Sequence, residues 1–302
     1  MAARILHTLT HNNAVYWVTF SSDGRRLASA SLDNTIKLWK FSTGQHLSTL
    51  RGHGDGVCTA SFAPDGKTLF SASLDKSLRV WNLSNGATER TLLGHQNYIT
   101  CMAMSADGKS LVSGAQDKQV RLWDPSTGTT TRVLSGHTGF VHCVAFSPDG
   151  TLVASGGFDN TIRLWSAMDG SLARQLEGHT GAVEGVAFAP DGKSLASASA
   201  DGTIKLWDVA TGAARQTLRG HSGLVRCVRF DHSGRRLASG GYDTTVKIWD
   251  PRTGRQLQSI RGHRNTVYAV AFSPDDQTLA SASFDRSSIV WSLNAKDPQP
   301  PR

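Results

Sequence analysis

Apolar and polar residues alternate in short runs separated by turn signals, and no run sustains a 3.6-residue period, so strands are expected and almost no helix. The stretch from Gly136 to His179 shows the pattern. Val141-His142-Cys143-Val144-Ala145-Phe146 alternates with β-branched and aromatic residues and predicts a first strand. Ser147-Pro148-Asp149-Gly150 follows as a tight turn, in which Pro presets φ and Gly accepts a positive φ. Leu152-Val153-Ala154-Ser155-Gly156-Gly157 predicts the second strand, and Asp159-Asn160 turns the chain into a third, Thr161-Ile162-Arg163-Leu164-Trp165. Met168-Asp169-Gly170 leads to a fourth strand, Leu172-Ala173-Arg174-Gln175-Leu176, before Gly178-His179 opens the next cycle.

The cycle repeats every 42 residues without insertion or deletion. Trp recurs at Trp39, Trp81, Trp123, Trp165, Trp207, Trp249 and Trp291. Asp33, Asp75, Asp117, Asp159, Asp201, Asp243 and Asp285 each precede a Trp by six residues. His11, His53, His95, His137, His179, His221 and His263 each precede it by 28. Ser29, Ser71, Ser113, Ser155, Ser197, Ser239 and Ser281 keep the same step. A period of this size marks a repeat architecture. Positions that repeat seven times are scaffold, and a specific task must lie in those that vary.

Gly-His, then Ser-x-x-x-Asp, then a closing Trp-Asp resembles the WD-repeat family of β-propellers over roughly residues 3–293. The resemblance implies an all-β fold of seven radially packed, four-stranded antiparallel blades around a channel. Trp-Asp is literal at Trp123-Asp124, Trp207-Asp208 and Trp249-Asp250, while Lys40, Asn82, Ser166 and Ser292 replace the Asp elsewhere. Thr10-His11 stands in for Gly-His in the first repeat, and the last lacks the basic residue found at Lys37, Arg79, Arg121, Arg163, Lys205 and Lys247. The last Trp ends a third strand, so the fourth is expected from Arg4-Ile5-Leu6-His7-Thr8-Leu9, closing the ring with about three buried apolar side chains. Residues 1–293 are read as one propeller and 294–302 as a polar, disordered tail.

The recurring Ser, His and Asp invite comparison with a hydrolase triad, yet an active site needs one copy and this chain has seven. The family implies instead a structural tetrad of His, Ser, Asp and Trp in each blade, with His and Asp buried near the upper end. Buried polar groups persist when partnered, which suits such a network. There is no GxxxxGK[ST] loop, HExxH or paired Cys/His cluster, so no catalytic residue, cofactor site or metal site is assigned, and the chain is read as non-enzymatic. Cys58, Cys101, Cys143 and Cys227 form no CxxC pair and read as small buried hydrophobes in a reducing compartment. No apolar run is long enough to span a bilayer, and residues 1–20 show no secretory signal, so an intracellular protein, cytoplasmic or nuclear, is expected.

Function should therefore lie in the varying positions. The residue before each tetrad Asp is expected at an upper-face loop tip: Leu32, Leu74, Gln116, Phe158, Ala200, Tyr242 and Phe284. The upper ends of the first strands add Tyr16, Trp17, Tyr98, Phe140, Leu224 and Tyr268. From these, Tyr16, Leu32, Leu74, Tyr98, Phe140, Phe158, Tyr242, Tyr268 and Phe284, with Arg226, form the candidate partner-binding set, because aromatics around an opening favour recognition of a protein or peptide. The expected product is an interaction scaffold, a monomer within a larger complex.

The net charge of +8 comes from 32 Lys+Arg and 24 Asp+Glu. Arg25, Arg26, Lys67, Lys109, Lys193, Arg235 and Arg236 all follow first-to-second-strand turns, which places them around the lower face. A basic rim there would steer acidic partners or nucleic acid; scattered cations for solubility are the plainer alternative. Trp249-Asp250-Pro251-Arg252 also resembles the WDxR box by which some WD-repeat proteins dock to the adaptor of a cullin-RING ubiquitin ligase. Arg252 would then be the docking residue of a substrate receptor.

Overall fold

The computed structural model describes residues 3–293, so the expected tail at 294–302 lies outside the described residues. Within them the chain forms seven four-stranded antiparallel sheets and no helix. Blade one contains Val15–Phe20, Arg26–Ser31, Thr35–Lys40 and Gln45–Arg51, hydrogen-bonded in sequence order. Each later repeat builds the next blade in the same way. In blade four the strands are Val141–Phe146, Leu152–Gly157, Ile162–Ser166 and Leu172–Leu176. Three match the hydrophobic pattern residue for residue, and the third is displaced by one because Thr161 belongs to the turn.

The first strand of each blade lies innermost and the fourth outermost. Their burial follows from that order: Val141 and Cys143 are buried, whereas Leu172 through Gln175 are exposed. The cores lie between blades. Ile36, Leu38 and Leu50 of blade one pack against Val57, Ala60, Phe62, Leu69 and Trp81 of blade two. Each apolar sheet face thus finds its partner on the adjacent sheet, as layered β architectures require.

Arg4–Thr10 pairs antiparallel with Ser287–Ser292 and completes blade seven. Its apolar contribution is smaller than expected. Ile5 pairs with Trp291 and His7 with Val290, so a bulge falls at Leu6 and breaks the in-out alternation. Leu9 is buried, Leu6 is half-buried and Ile5 faces solvent. One full and one partial side chain give about 3–5 kcal/mol of gross stabilisation. Val15, Val18, Phe20, Leu27 and Trp39 of blade one join Leu9, Ala280 and Val290 in a single cluster across this junction. The missing basic residue of the last repeat is explained here too: its position is held by Ile289, buried in the neighbouring core cluster.

The turn after each tetrad Asp needs one left-handed residue. It is Asn34, Lys76, Lys118, Asn160, Gly202, Thr244 and Arg286 in successive blades, with φ between 63° and 81°. Asn and Gly adopt this region readily, whereas β-branched Thr244 is strained there.

Candidate functional site

The polar tetrads form seven local networks. In blade four, His137 Nδ1 is 2.8 Å from Asp159 Oδ2, His137 Nε2 is 2.7 Å from Ser155 Oγ, and Trp165 Nε1 donates to Ser155 Oγ at 2.8 Å. The same three contacts occur in every other blade. A neutral imidazole carrying its proton on Nδ1 satisfies all of them: Trp donates to Ser, Ser to His, and His to Asp. Every tetrad Ser is 0% exposed, so its hydroxyl has no route to a substrate. The Asp side chains are less buried than expected, 6–15% exposed, because they sit at the upper lip and also cap backbone N–H groups such as that of Thr138. Burial alone would raise the Asp159 carboxyl, but hydrogen bonds from His137, Thr138 and Thr161 hold it well below the usual range.

The first-strand position that follows the buried Val or Ile opening each strand varies widely around the ring. It reads Tyr16, Cys58, Thr100, His142, Glu184, Arg226 and Tyr268. With neighbouring residues these line a cavity of about 350 Å³ at the upper mouth of the channel. Arg226 forms an ion pair with Glu184, and His142 Nδ1 lies 3.0 Å from the same Glu184 oxygen. Burial raises the Glu184 carboxyl, an effect the Arg226 charge opposes, and burial together with Arg226 pushes His142 well below its ordinary value. His142 is therefore neutral at physiological pH. Arg226 also stands 4.9 Å from the Tyr268 ring, which packs at a tilt against Tyr16 with centroids 4.5 Å apart. Among the described residues Glu184 is the only carboxylate lining this cavity, and it is paired.

The rim carries the exposed aromatics. Phe158, Tyr242 and Phe284 are 52%, 55% and 44% exposed, and Tyr98 and Phe140 are exposed as well. Phe284 lies 6.1 Å from Tyr268, extending the Tyr16–Tyr268 pair outward. On blade four Phe158 contacts both Phe140 and His142, at 5.9 and 5.3 Å. The two leucines behave differently from the aromatic tips. Leu32 and Leu74 are half-buried, and Leu32 lies so close over Gly56 of the next blade that a Cβ there would meet it at 2.3 Å. They fold sideways because a short aliphatic chain beside a glycine finds apolar cover. Ala200 and Gln116 add little apolar surface.

At the opposite face the cations do not form a continuous rim. Arg26 donates to the Gly66 carbonyl and lies over Phe62, while Arg236 holds Asp231 at 2.9 Å and the Asp276 carbonyl at 2.5 Å. Both join adjacent blades. Arg25, Lys67, Lys109 and Lys193 each follow by two residues an Asp that accepts their backbone N–H: Asp23, Asp65, Asp107 and Asp191. The rim thus alternates in sign. Arg252 is exposed on this face, with Nε 3.7 Å from Asp250.

The four thiols are buried and unpaired, and burial pushes Cys58, Cys101 and Cys227 up to about 12. They are protonated packing groups. Three functional candidates escape the sequence pattern: His142, Glu184 and Arg229. Lining up the 42-residue period marks Arg229 as the odd residue at its position, where the other repeats have Thr19, Ser61, Ala103, Ala145, Ala187 and Ala271, whereas His142 and Glu184 stand at a position that has no common residue to depart from.

Seven radial sheets, buried tetrads and a lined channel mouth define a seven-bladed propeller of the WD type. The model for the WD domain, G-beta repeat, matches residues 3–40, 44–82, 86–124, 128–166, 170–208, 212–250 and 254–292, and the chain belongs to that family. A WD repeat-containing protein of Dictyostelium discoideum is 49% identical over 45 residues, 14% of this chain and 8% of that protein. The Notchless protein homolog of Arabidopsis thaliana is 46% identical over 43 residues, 14% of this chain and 9% of its own length. These matches cover under a tenth of either relative. Propellers of this family are generally non-enzymatic interaction scaffolds, and no described helix is long and apolar enough to cross a membrane.

Proposed function

We propose that this chain is a protein-interaction scaffold whose upper face docks a peptide or protein segment. The observation that carries the reading is the exposed aromatic set, Phe140, Phe158, Tyr242 and Phe284, gathered around a lined cavity. Aromatic anchors beside a concave site supply binding energy at small conformational cost. Tyr16, Tyr98, Tyr268 and Arg226 form the inner contact surface, with Leu74 lining the cavity beside them and Leu32 folded sideways over Gly56. Residues 1–293 act as one unit, present as a single copy in a larger assembly. Four unpaired cysteines support a reducing, intracellular setting.

Partners captured by the intact chain, measured by calorimetry, test the reading. Phe158→Ala and Phe284→Ala should each weaken the captured partner by about 2 kcal/mol while leaving the melting temperature nearly unchanged. Unaltered affinity in both variants would remove the upper face as the docking surface.

A further inference from the structure

The channel cavity holds an imbalance of charge. Of its ionisable groups, Glu184 is ion-paired with Arg226, and the burial that lowers His142 leaves it neutral. The lining thiols are protonated. Arg229 is left over. It sits three residues beyond Arg226 on Val225–Phe230, past the bulge between Val225 and Cys227, and at the six equivalent positions the side chains are all small. The space they leave lets its guanidinium cross the bore. Nη1 donates to the carbonyls of Val186 at 3.2 Å and Val228 at 3.0 Å, and the group lies 4.9 Å from the Trp17 ring. Val186 belongs to blade five and Trp17 to blade one, so Arg229 forms a charged floor beneath the cavity.

No carboxylate pairs with Arg229 among the described residues. Carbonyl dipoles and an aromatic face stabilise a cation, but less than an ion does, and a half-buried guanidinium presents further N–H donors in a planar fork. That fork matches a carboxylate. A dianion fits less well, since there is one uncompensated positive charge and Glu184 lines the same cavity.

We propose that the upper-mouth cavity is a carboxylate-recognition site. Arg229 pairs with one ionised carboxyl group, and Trp17, Tyr16 and Tyr268 receive an aromatic or apolar body attached to it. The volume suits a single side chain or a small organic acid rather than a folded element. This rests on the docking reading above: the carboxyl group is then an acidic side chain or the free C-terminus of the docked segment.

The test compares hydrocinnamate with its amide by calorimetry and ligand-observed NMR on the full chain. The acid should bind at least about tenfold more tightly than the amide, the difference one ion pair makes. Arg229→Gln should abolish the preference, and Arg229→Lys should keep part of it. N-acetyl-Asp-Phe-amide and N-acetyl-Ala-Phe free acid then show whether a side chain or a chain terminus is the better source. Equal affinity of acid and amide for the intact chain, no binding of any acid at about millimolar concentration, or a preference that survives Arg229→Gln would each overturn the proposal. Should Arg229→Gln fail to fold, the acid–amide comparison and Arg229→Lys still decide it. Phe158 is not among the cavity-lining residues, so the docking test reads a different surface, and Lys193→Ala, on the opposite face, should leave hydrocinnamate binding unchanged. Failure of the docking reading would therefore appear as unaltered partner affinity in the aromatic variants, independently of the acid preference.

Discussion

Cys143 and Gly156 face each other across the first two strands of blade four, and a Cβ on Gly156 would stand 2.9 Å from the Cys143 sulfur. The pairing recurs as Cys101 with Gly114 and Cys227 with Gly240. Blades without cysteine at this position have alanine opposite: Trp17 with Ala30, Thr59 with Ala72, Gly185 with Ala198, and Ala269 with Ala282. In blade four the sulfur shares the space beside Gly156 with Val183 of the next blade, whose Cγ1 would stand 2.6 Å from the added Cβ. Each thiol also donates to the carbonyl of its glycine, Cys143 Sγ to Gly156 at 3.6 Å, so two positions separated by 13 residues are coupled by packing and a weak hydrogen bond.

Gly156→Ala should destabilise the protein by about 1–3 kcal/mol through overpacking. Cys143→Ala in the same chain should recover most of that loss, because Ala opposite Ala already exists in blade seven. Urea unfolding of both single variants and the double variant gives the coupling energy. Additive effects would show that the thiol is not what excludes the methyl group.

Asp159→Ala should cost about 1–3 kcal/mol by leaving the His137 and Thr138 donors unsatisfied. Asp117→Ala and Asp201→Ala should cost similar amounts. All three carboxyls are held below the ordinary value of 3.8, Asp201 at about 2. A depressed carboxyl contributes stability that is complete above its unfolded value and lost as pH falls through its folded one. Stability from the tetrads should therefore hold through mild acid and decline below about pH 4. Urea midpoints for the parent and Asp201→Asn should converge as pH is lowered through that window.

Thr244 adopts φ 64° where Asn34 and Asn160 adopt 67° and 63°. Thr244→Asn should raise stability by about 0.5–1 kcal/mol, since Asn enters the left-handed region without the β-branched penalty. A melting temperature that fell would point to a contact of the Thr244 side chain as its reason for being there.

Removing residues 1–9 should expose the edge of Ser287–Ser292, lower the melting temperature and promote association through that edge. Leu9→Ala should reproduce part of the thermal loss without opening the edge, because the backbone pairing stays. Light scattering with calorimetry separates the two effects.

The blades were readable because Trp, Ser, His and Asp are needed at fixed offsets for one hydrogen-bonded network. Any register error would orphan a buried donor, so the period is rigid and visible. The rim aromatics were readable as exceptions to that period. Leu32 and Leu74 were not, since both lie against Gly56, a glycine of the next blade for Leu32 and of its own blade for Leu74, and whether a loop-tip side chain stands out or lies down depends on such neighbours. The Arg226–Glu184 pair links residues one period apart, and Arg229 reaches from one blade across to the first. Such contacts depend on how the ring curves back on itself, which local pattern does not encode.

The matched unit 44–82 begins with the outer strand of one blade and ends with the third strand of the next. Covalent unit and folded blade are therefore offset by one strand, like bricks laid across a joint. Excising one whole period, for instance 86–127, would leave every sheet with four strands and every seam with its usual faces. What such a chain would lack is angle: six wedges shaped for a ring of seven.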